Sequence, residues 1–439
     1  MPSGKDIAFI TLGCAKNEVD SDKMRAHLRR AGYNIVEEPS QADLTIINTC
    51  SFLASAVEEG LDTIFQTLGM DERPDVQPNK VLVAGCMPSR YGQDLEGELS
   101  EVAGFLPAAE EDRVVEKVNS ILGLDLKEGA GAARDVVSPF AYVKISDGCD
   151  RFCTYCMIPY IRGRYHSFTY ESIEAEVREL VQGGVREIVL IGQDTGIWGR
   201  DLDIPSCTQE LLQRLAAEFS STWFRIMYIQ PEGITDELLL TMANTPNICS
   251  YIDIPLQHVN SQVLERMNRT GDSSSIKAMI AHIRELVPTI LVRTTLMAGF
   301  PGETDAQFEE LVDAVEDIQF DYAGVFAYSQ EEGSKAAEFE DQVDEGVRKD
   351  RAQRLLDLCD SIGFERNKRH IGKIVECVVE GYELTDVGEE ALARWQGQAP
   401  DVDGMVHIPM SSPGELVIGE RVSVRLTDSF CYELEGELA

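Results

Sequence analysis

Short apolar runs alternate with stretches whose apolar residues recur at helical spacing, and this rhythm divides the chain into three parts. In the first part the runs are Ile7–Leu12, Leu44–Ile47 and Val81–Ala84. After the second run, Leu53, Val57, Leu61, Ile64 and Leu68 fall on one helical face. Such alternation predicts a parallel sheet with helices on its faces. Residues 123–139, rich in Gly, Ala and charge, read as a linker. The alternation then resumes with Tyr142–Ile145, Ile188–Ile191, Phe224–Ile229, Tyr251–Leu256, Ile290–Leu296 and Ala323–Tyr328. Ile173, Val177, Leu180 and Val181 share one helical face between these runs. Phe308, Leu311, Val312 and Val315 share another, opened by the capping-box pattern Thr304-x-x-Gln307. Six βα units predict an incomplete barrel whose active face is the carboxyl end of its strands. Past a charged helical stretch from Asp344 to His370, the period changes. Ile374–Val379, Leu416–Val417 and Arg421–Leu426 read as strands, punctuated by Gly381, Gly397, Gly404, Gly414 and Gly419. That pattern predicts a small β-barrel. The expected fold is α/β, with a parallel-sheet domain at 5–122, a partial (βα)6 barrel at 135–368 and a β-barrel at 371–439.

With 439 residues and 44% hydrophobic content, the chain can bury a core large enough for several domains. Lys5 and Asp6 interrupt the start before any apolar run, and no run approaches a membrane span. Eleven cysteines without an export signal predict reduced thiols in a cytoplasmic setting, some of them metal ligands. The formal net charge of -37 disfavours phosphate-rich partners and favours basic ones. A general salt or solubility adaptation would give the same number.

Cysteine spacing changes the picture most. Cys149, Cys153 and Cys156 stand in C-x3-C-x2-C spacing just after the first barrel run. Three clustered thiolates can hold a [4Fe–4S] cube and leave its fourth iron open. With His166 they could instead form a Cys3His zinc site. Cys14, Cys50 and Cys86 each follow an apolar run of the first domain and precede a helical pattern. Ligands gather beyond strand carboxyl ends in parallel sheets, so this repeat suggests a second three-cysteine site. Cys207, Cys249, Cys359, Cys377 and Cys431 show no ligand spacing and read as ordinary thiols.

The loop with its aromatic before the last cysteine, Tyr155, on a six-fold βα repeat resembles the radical S-adenosylmethionine (SAM) superfamily. Extended through Met157-Ile158-Pro159-Tyr160-Ile161-Arg162-Gly163, it is similar to the loop of the methylthiotransferases. The flanking domains resemble that family's additions, a cysteine-bearing α/β domain and a TRAM barrel. The resemblance implies that Cys149, Cys153 and Cys156 hold a [4Fe–4S] cluster that binds SAM and yields a 5′-deoxyadenosyl radical. It implies an auxiliary [4Fe–4S] cluster on Cys14, Cys50 and Cys86 as sulfur source, and two SAM per turnover, one of them the methyl donor. Tyr155, Gln193, Asp194, Arg293, Gly299 and Gly302 match segments near SAM in the family. For Asp194 a helix cap, for the 299–303 segment a plain turn, and for Arg293 an outward-facing side chain are the alternatives. No acid–base constellation is evident among the six histidines, consistent with chemistry carried by cofactors.

Family members modify either an adenosine of tRNA or the β-carbon of an aspartate in the twelfth small-subunit ribosomal protein. Residues 371–439 hold four basic and fourteen acidic residues, a net of −10, the reverse of an RNA-binding module. An acidic barrel suits a basic ribosomal protein. The segments Ile254-Pro255-Leu256-Gln257-His258-Val259-Asn260 and Cys156–Tyr160 also look more like the ribosomal-protein branch. The expected partners are therefore that protein, a reductant such as flavodoxin or ferredoxin, and a sulfur donor, without direct tRNA or membrane binding. A tRNA-adenosine methylthiotransferase is the alternative, and a non-catalytic iron–sulfur scaffold the reading from a different class.

Overall fold

The computed structural model describes residues 5–69, 80–129, 134, 136, 138–385, 388–410 and 416–439. Its first sheet contains β1 (Asp6–Thr11), β2 (Asn34–Val36), β3 (Leu44–Thr49), β4 (Val81–Gly85) and β5 (Gly104–Pro107), all parallel in the order β2-β1-β3-β4-β5. The edge strands β2 and β5 are too short and too little apolar to stand out in the sequence. Helices α1 (Ala15–Arg30), α2 (Ala54–Thr67), α3 (Cys86–Glu98) and α4 (Val114–Leu122) cover the sheet. One face buries Ile7, Met24, Leu28, Leu44 and Leu82, and the other Ile47, Ile64, Val83 and Met87. Burial on both faces explains the continuous apolar runs.

In the second part, β6 (Phe140–Lys144) is followed by a ribbon of β7 (Ser146–Asp147) with β8 (His166–Ser167), between which lies the short helix α5 (Ile158–Ile161). Next come α6 (Tyr170–Gln182), β9 (Glu187–Ile191), α7 (Thr208–Glu218), β10 (Trp223–Ile226), α8 (Asp236–Asn244) and β11 (Tyr251–Gln257). The part continues through α9 (Ser261–Arg266), α10 (Ser273–Leu286), β12 (Leu291–Ala298), α11 (Asp305–Ile318), β13 (Tyr322–Ala327) and α12 (Glu345–Asn367). Strands β6, β9 and β10 form one parallel set and β11, β12 and β13 another, bridged at Phe224 and Ile248. Thr304 and Gln307 form the expected capping box of α11. The 123–139 segment is read above as a loose linker, yet Arg134 is buried and pairs with Asp22 of α1 at 2.9 Å and Glu176 of α6 at 2.8 Å. Residues 130–133, 135 and 137 of that segment lie outside the described residues.

The third part is a closed barrel of β14 (Ile374–Thr385), β15 (Gly388–Trp395), β16 (Val406–Pro409), β17 (Arg421–Phe430) and β18 (Glu433–Leu438). Leu416–Val417 is not a strand, contrary to the sequence expectation. Val417 is exposed and opens a turn in which Glu420 N–H donates to its carbonyl at 2.8 Å. Gly414 lies outside the described residues. Val378 and Ala399 of this part pack among Tyr142, Trp223, Tyr251, Leu291 and Tyr322, at the amino-terminal end of the six-stranded barrel. Buried Arg394 bridges the two parts, donating to Glu187 of β9 at 2.8 Å, while Arg225 holds the other oxygen of Glu187 at 2.7 Å. The third part thus plugs the base of the barrel, leaving its carboxyl end to the first.

Candidate functional site

The first cysteine trio is assembled by strand ends. Cys14 occupies the N-terminal cap position of α1, Cys50 follows β3, and Cys86 is the first residue of α3. Gly13 lets the Cys14 loop approach, since its φ is +97° and a Cβ there would lie 2.6 Å from Cys50 Cβ. Asn17, fully buried one turn into α1, ties the loops together. Its Nδ2 donates to Leu12 O at 2.9 Å and Thr49 O at 3.0 Å, and its Oδ1 lies 3.6 Å from Cys86 Sγ. Burial pushes the Cys50 thiol up and the Cys86 thiol up to about 12, and the neighbouring Cys14 adds to both shifts.

The second trio lies on the loop between β7 and α5. Gly148, with φ +72°, turns the chain so tightly that a Cβ would meet Arg164 O at 2.2 Å. Cys149 N–H donates to Gly163 O and Cys156 N–H to Cys153 O. Barrel loops clamp the segment on both flanks: Thr154 N–H donates to Met267 O, Ala336 N–H to Thr154 O, and Asn268 Nδ2 to Arg151 O. Arg151 joins Asp194 at 2.6 Å and Glu232 at 2.8 Å. Burial pushes the Cys149 thiol up and the Cys156 thiol up to about 12. Tyr155 packs on the main core beside Cys153 and Arg269.

The other sequence candidates separate here. Gln193 and Asp194 follow β9 at the mouth, where Gln193 Nε2 donates to Asp147 at 3.1 Å. Asp194 makes no cap hydrogen bond, so the helix-cap alternative fails. Gln193 Oε1, Asp194 Oδ1 and the nearby Ser146 Oγ are buried without a protein partner. Gly299 and Gly302 shape the turn after β12, and Glu303 braces it by accepting from Gly299 N–H at 3.0 Å and Arg351 at 2.8 Å. Arg293 departs from expectation. It points inward, but toward the base of the barrel, where Asp253 at 3.2 Å and Asp403 at 3.3 Å hold its guanidinium. Those fixed carboxylates take the place of a SAM carboxylate, so Arg293 is not carried into the site.

His166, the fourth ligand of the zinc alternative, is exposed with its ring edge-on to Phe168. Among the described residues no three His, Cys, Asp or Glu side chains converge as a single ion requires. A cube is larger than an ion, and within each trio the thiols lie near enough to disfavour charge on one another, as at Cys86 and Cys156. Cys249, Cys359 and Cys377 are buried, burial pushing each thiol up to about 12, as expected of structural thiols.

Sequence reasoning missed what joins the trios. Arg162, quoted above only as part of the extended loop, reaches Asp20 of α1 at 2.9 Å, Asn17 Oδ1 at 2.7 Å and Asp147 at 3.1 Å. Met157 and Ile161 pack directly on Cys86. The spacing of Arg162 from Cys156 was visible; its partner one domain away was not.

The chain is 39% identical to the ribosomal protein uS12 methylthiotransferase RimO of Desulfitobacterium hafniense, with 99% of this chain and 98% of that protein covered. The RimO of Geobacter sulfurreducens is also 39% identical, with 98% of each covered. The chain belongs to the RimO methylthiotransferase family. Within this RimO-family chain, residues 143–315 match the radical SAM superfamily, 6–106 the uncharacterized protein family UPF0004, and 371–439 the TRAM domain. The radical SAM methyltransferase TsrM from Kitasatospora setae shares its fold at TM-score 0.53 and 12% identity, with 74% of this chain and 73% of that one covered. The cobalamin-dependent radical SAM enzyme OxsB does so at TM-score 0.51 and 11% identity, over 82% of this chain and 56% of that one.

Proposed function

We propose that this chain attaches a methylthio group to the β-carbon of an aspartate in ribosomal protein uS12, using two SAM. The observation that carries this reading is the meeting of two cysteine trios at one domain junction, with Met157 and Ile161 packed on Cys86 between them. The names of the full-length relatives support the choice of protein over tRNA as substrate. When bound, a cluster with SAM at Cys149, Cys153 and Cys156 supplies a 5′-deoxyadenosyl radical, and a cluster at Cys14, Cys50 and Cys86 supplies sulfur. The chain's own residues bind and orient. Gln193 Oε1 and Asp194 Oδ1, buried and unpartnered, are acceptors for the SAM amino group. Tyr155 and the turn at Gly299 and Gly302 complete the proposed SAM contacts. Arg151 keeps Asp194 in place through its 2.6 Å bond.

In this reading 5–122 carries the auxiliary site, 135–368 the radical site, and 371–439 the substrate contact. Flavodoxin or ferredoxin is the proposed reductant, with a separate sulfur donor, in the cytoplasm. No helix among the described residues is long and apolar enough to cross a membrane. Mass spectrometry of uS12 and of tRNA from a deletion strain tests the substrate. Loss of the methylthio mass from uS12 is expected; an unchanged uS12 with a lost tRNA modification would overturn it. Replacing Cys50 with Ala should leave 5′-deoxyadenosine formation within about twofold while abolishing sulfur insertion. Loss of both in a folded protein would contradict separate roles for the trios.

A further inference from the structure

Arg162 belongs by sequence to the radical-site loop, but its guanidinium is buried at the junction with the first domain. Its two ends face different sites. Nη1 lies 3.1 Å from Asp147, which also accepts from Gln193 Nε2 at 3.1 Å. Nη2 lies 2.7 Å from Asn17 Oδ1, 2.9 Å from Asp20 and 3.7 Å from Cys86 Sγ. A cation meant only to bind the domains together would be saturated by carboxylates. This one turns one edge onto a sulfur and the amide that braces it, while Asp20 and Asp147 have a second cation, Lys144, from β6. The planar fork allows a single side chain to do both, which an ammonium on a flexible stem cannot.

We propose that Arg162 is a positioning residue for the auxiliary site, holding the Cys86 sulfur in a hydrogen bond that raises the reduction potential of the cluster bound there. Hydrogen bonds to cluster sulfurs and nearby positive charge favour the reduced, more negative state, so losing them lowers the potential. The same residue bonds through Asp147 to the Gln193 end of the radical site, so one side chain registers the two trios against each other. This inference rests on the two-cluster reading above.

The test uses the full chain with Cys149, Cys153 and Cys156 replaced by Ala, so that only the auxiliary cluster reconstitutes. Its potential is read by titration followed by electron paramagnetic resonance. Arg162→Gln is expected to shift it to lower potential, and Arg162→Lys, which keeps the charge but not the fork, to shift it less in the same direction. In the converse background, with Cys14, Cys50 and Cys86 replaced by Ala, Arg162→Gln should leave the radical-site potential unmoved. An auxiliary potential in Arg162→Gln equal to that of the parent would overturn the proposal. Should that variant not fold, an unmoved potential in Arg162→Lys would overturn it equally. Failure of the parent to bind iron at the auxiliary trio would be a different result, removing the two-cluster reading itself.

Discussion

Gly148 shows how much of the proposed radical site depends on a single backbone position. It needs φ +72°, and a methyl group there would sit 2.2 Å from the Arg164 carbonyl, a backbone atom that cannot rotate away. Replacement by Ala adds left-handed strain of about 1–2 kcal/mol before the clash is counted. Since Cys149 is the next residue, the strain is relieved by moving a proposed cluster ligand. Gly148→Ala should therefore lower reconstituted iron from about eight to about four per chain and abolish 5′-deoxyadenosine, with the auxiliary cluster kept. Full iron content in the variant would show that the loop relaxes elsewhere. The strand-end positions of Cys14, Cys50 and Cys86 and the loop position of Cys149, Cys153 and Cys156 were legible in the sequence because both are local patterns. Arg293 was misjudged because inward orientation is local, whereas Asp403, its partner, lies 110 positions along the chain. Asn17, Asp20 and Arg162 went unread for the same reason.

At the level of elements, the junction between the first domain and β6 is built from charge. Lys144 of β6 pairs with Asp20 of α1, with Asp147 at 3.2 Å and with Glu111 at 3.4 Å, while Arg162 adds a second cation. Two cations facing three acids leave one carboxyl surplus. Burial, together with the Asp20 charge beside it, pushes the Glu111 carboxyl up to about 8 against the attraction of Lys144, so the surplus is carried as a proton on Glu111. The folded state then binds a proton that the unfolded state releases near pH 4.5, and stability falls as pH rises from about 4.5 to 8. The side chain keeps 22% of its surface in solvent, which shortens the pH range over which this stability is lost. Glu111→Gln cannot ionise: its melting temperature should match the parent near pH 5 and exceed it near pH 9. Parallel profiles across that range would remove Glu111 from the account. The strands themselves were legible wherever they are buried on both faces. The edge strands β2 and β5 and the barrel strands β15, β16 and β18 were not, since alternating or short segments carry weak periodicity.

Across the whole molecule, charge and architecture divide the labour. The net of −10 on residues 371–439 is about twice the density of negative charge on the rest of the chain, so a uniform acidic bias does not account for it. Part of that acid is structural: Asp403 holds Arg293 and Tyr251, Asp401 accepts from the Tyr142 hydroxyl, and Glu380 binds Arg394. The Asp403 and Asp401 contacts fasten the TRAM barrel under the six-stranded one, and Glu380, within the TRAM barrel, steadies Arg394 as it reaches Glu187. What remains outward is exposed toward a basic partner, Glu383 openly and Glu437 in a loose pair with Arg425 at 4.0 Å. Exposed charges act over a Debye length of about 10 Å at 0.1 M salt, so they steer association more than they tighten the complex. Binding of purified uS12 should therefore slow steeply as salt rises, with the dissociation rate nearly constant. Glu383→Gln and Glu437→Gln should each weaken binding by about 0.5 kcal/mol, roughly twofold, without changing uncoupled SAM cleavage. Removing the whole barrel is the wrong control, because Val378, Ala399 and Arg394 belong to the core's own packing. Salt-independent association of uS12 would mean that the acidic surface serves the barrel's solubility and that recognition lies at the cysteine-lined mouth alone.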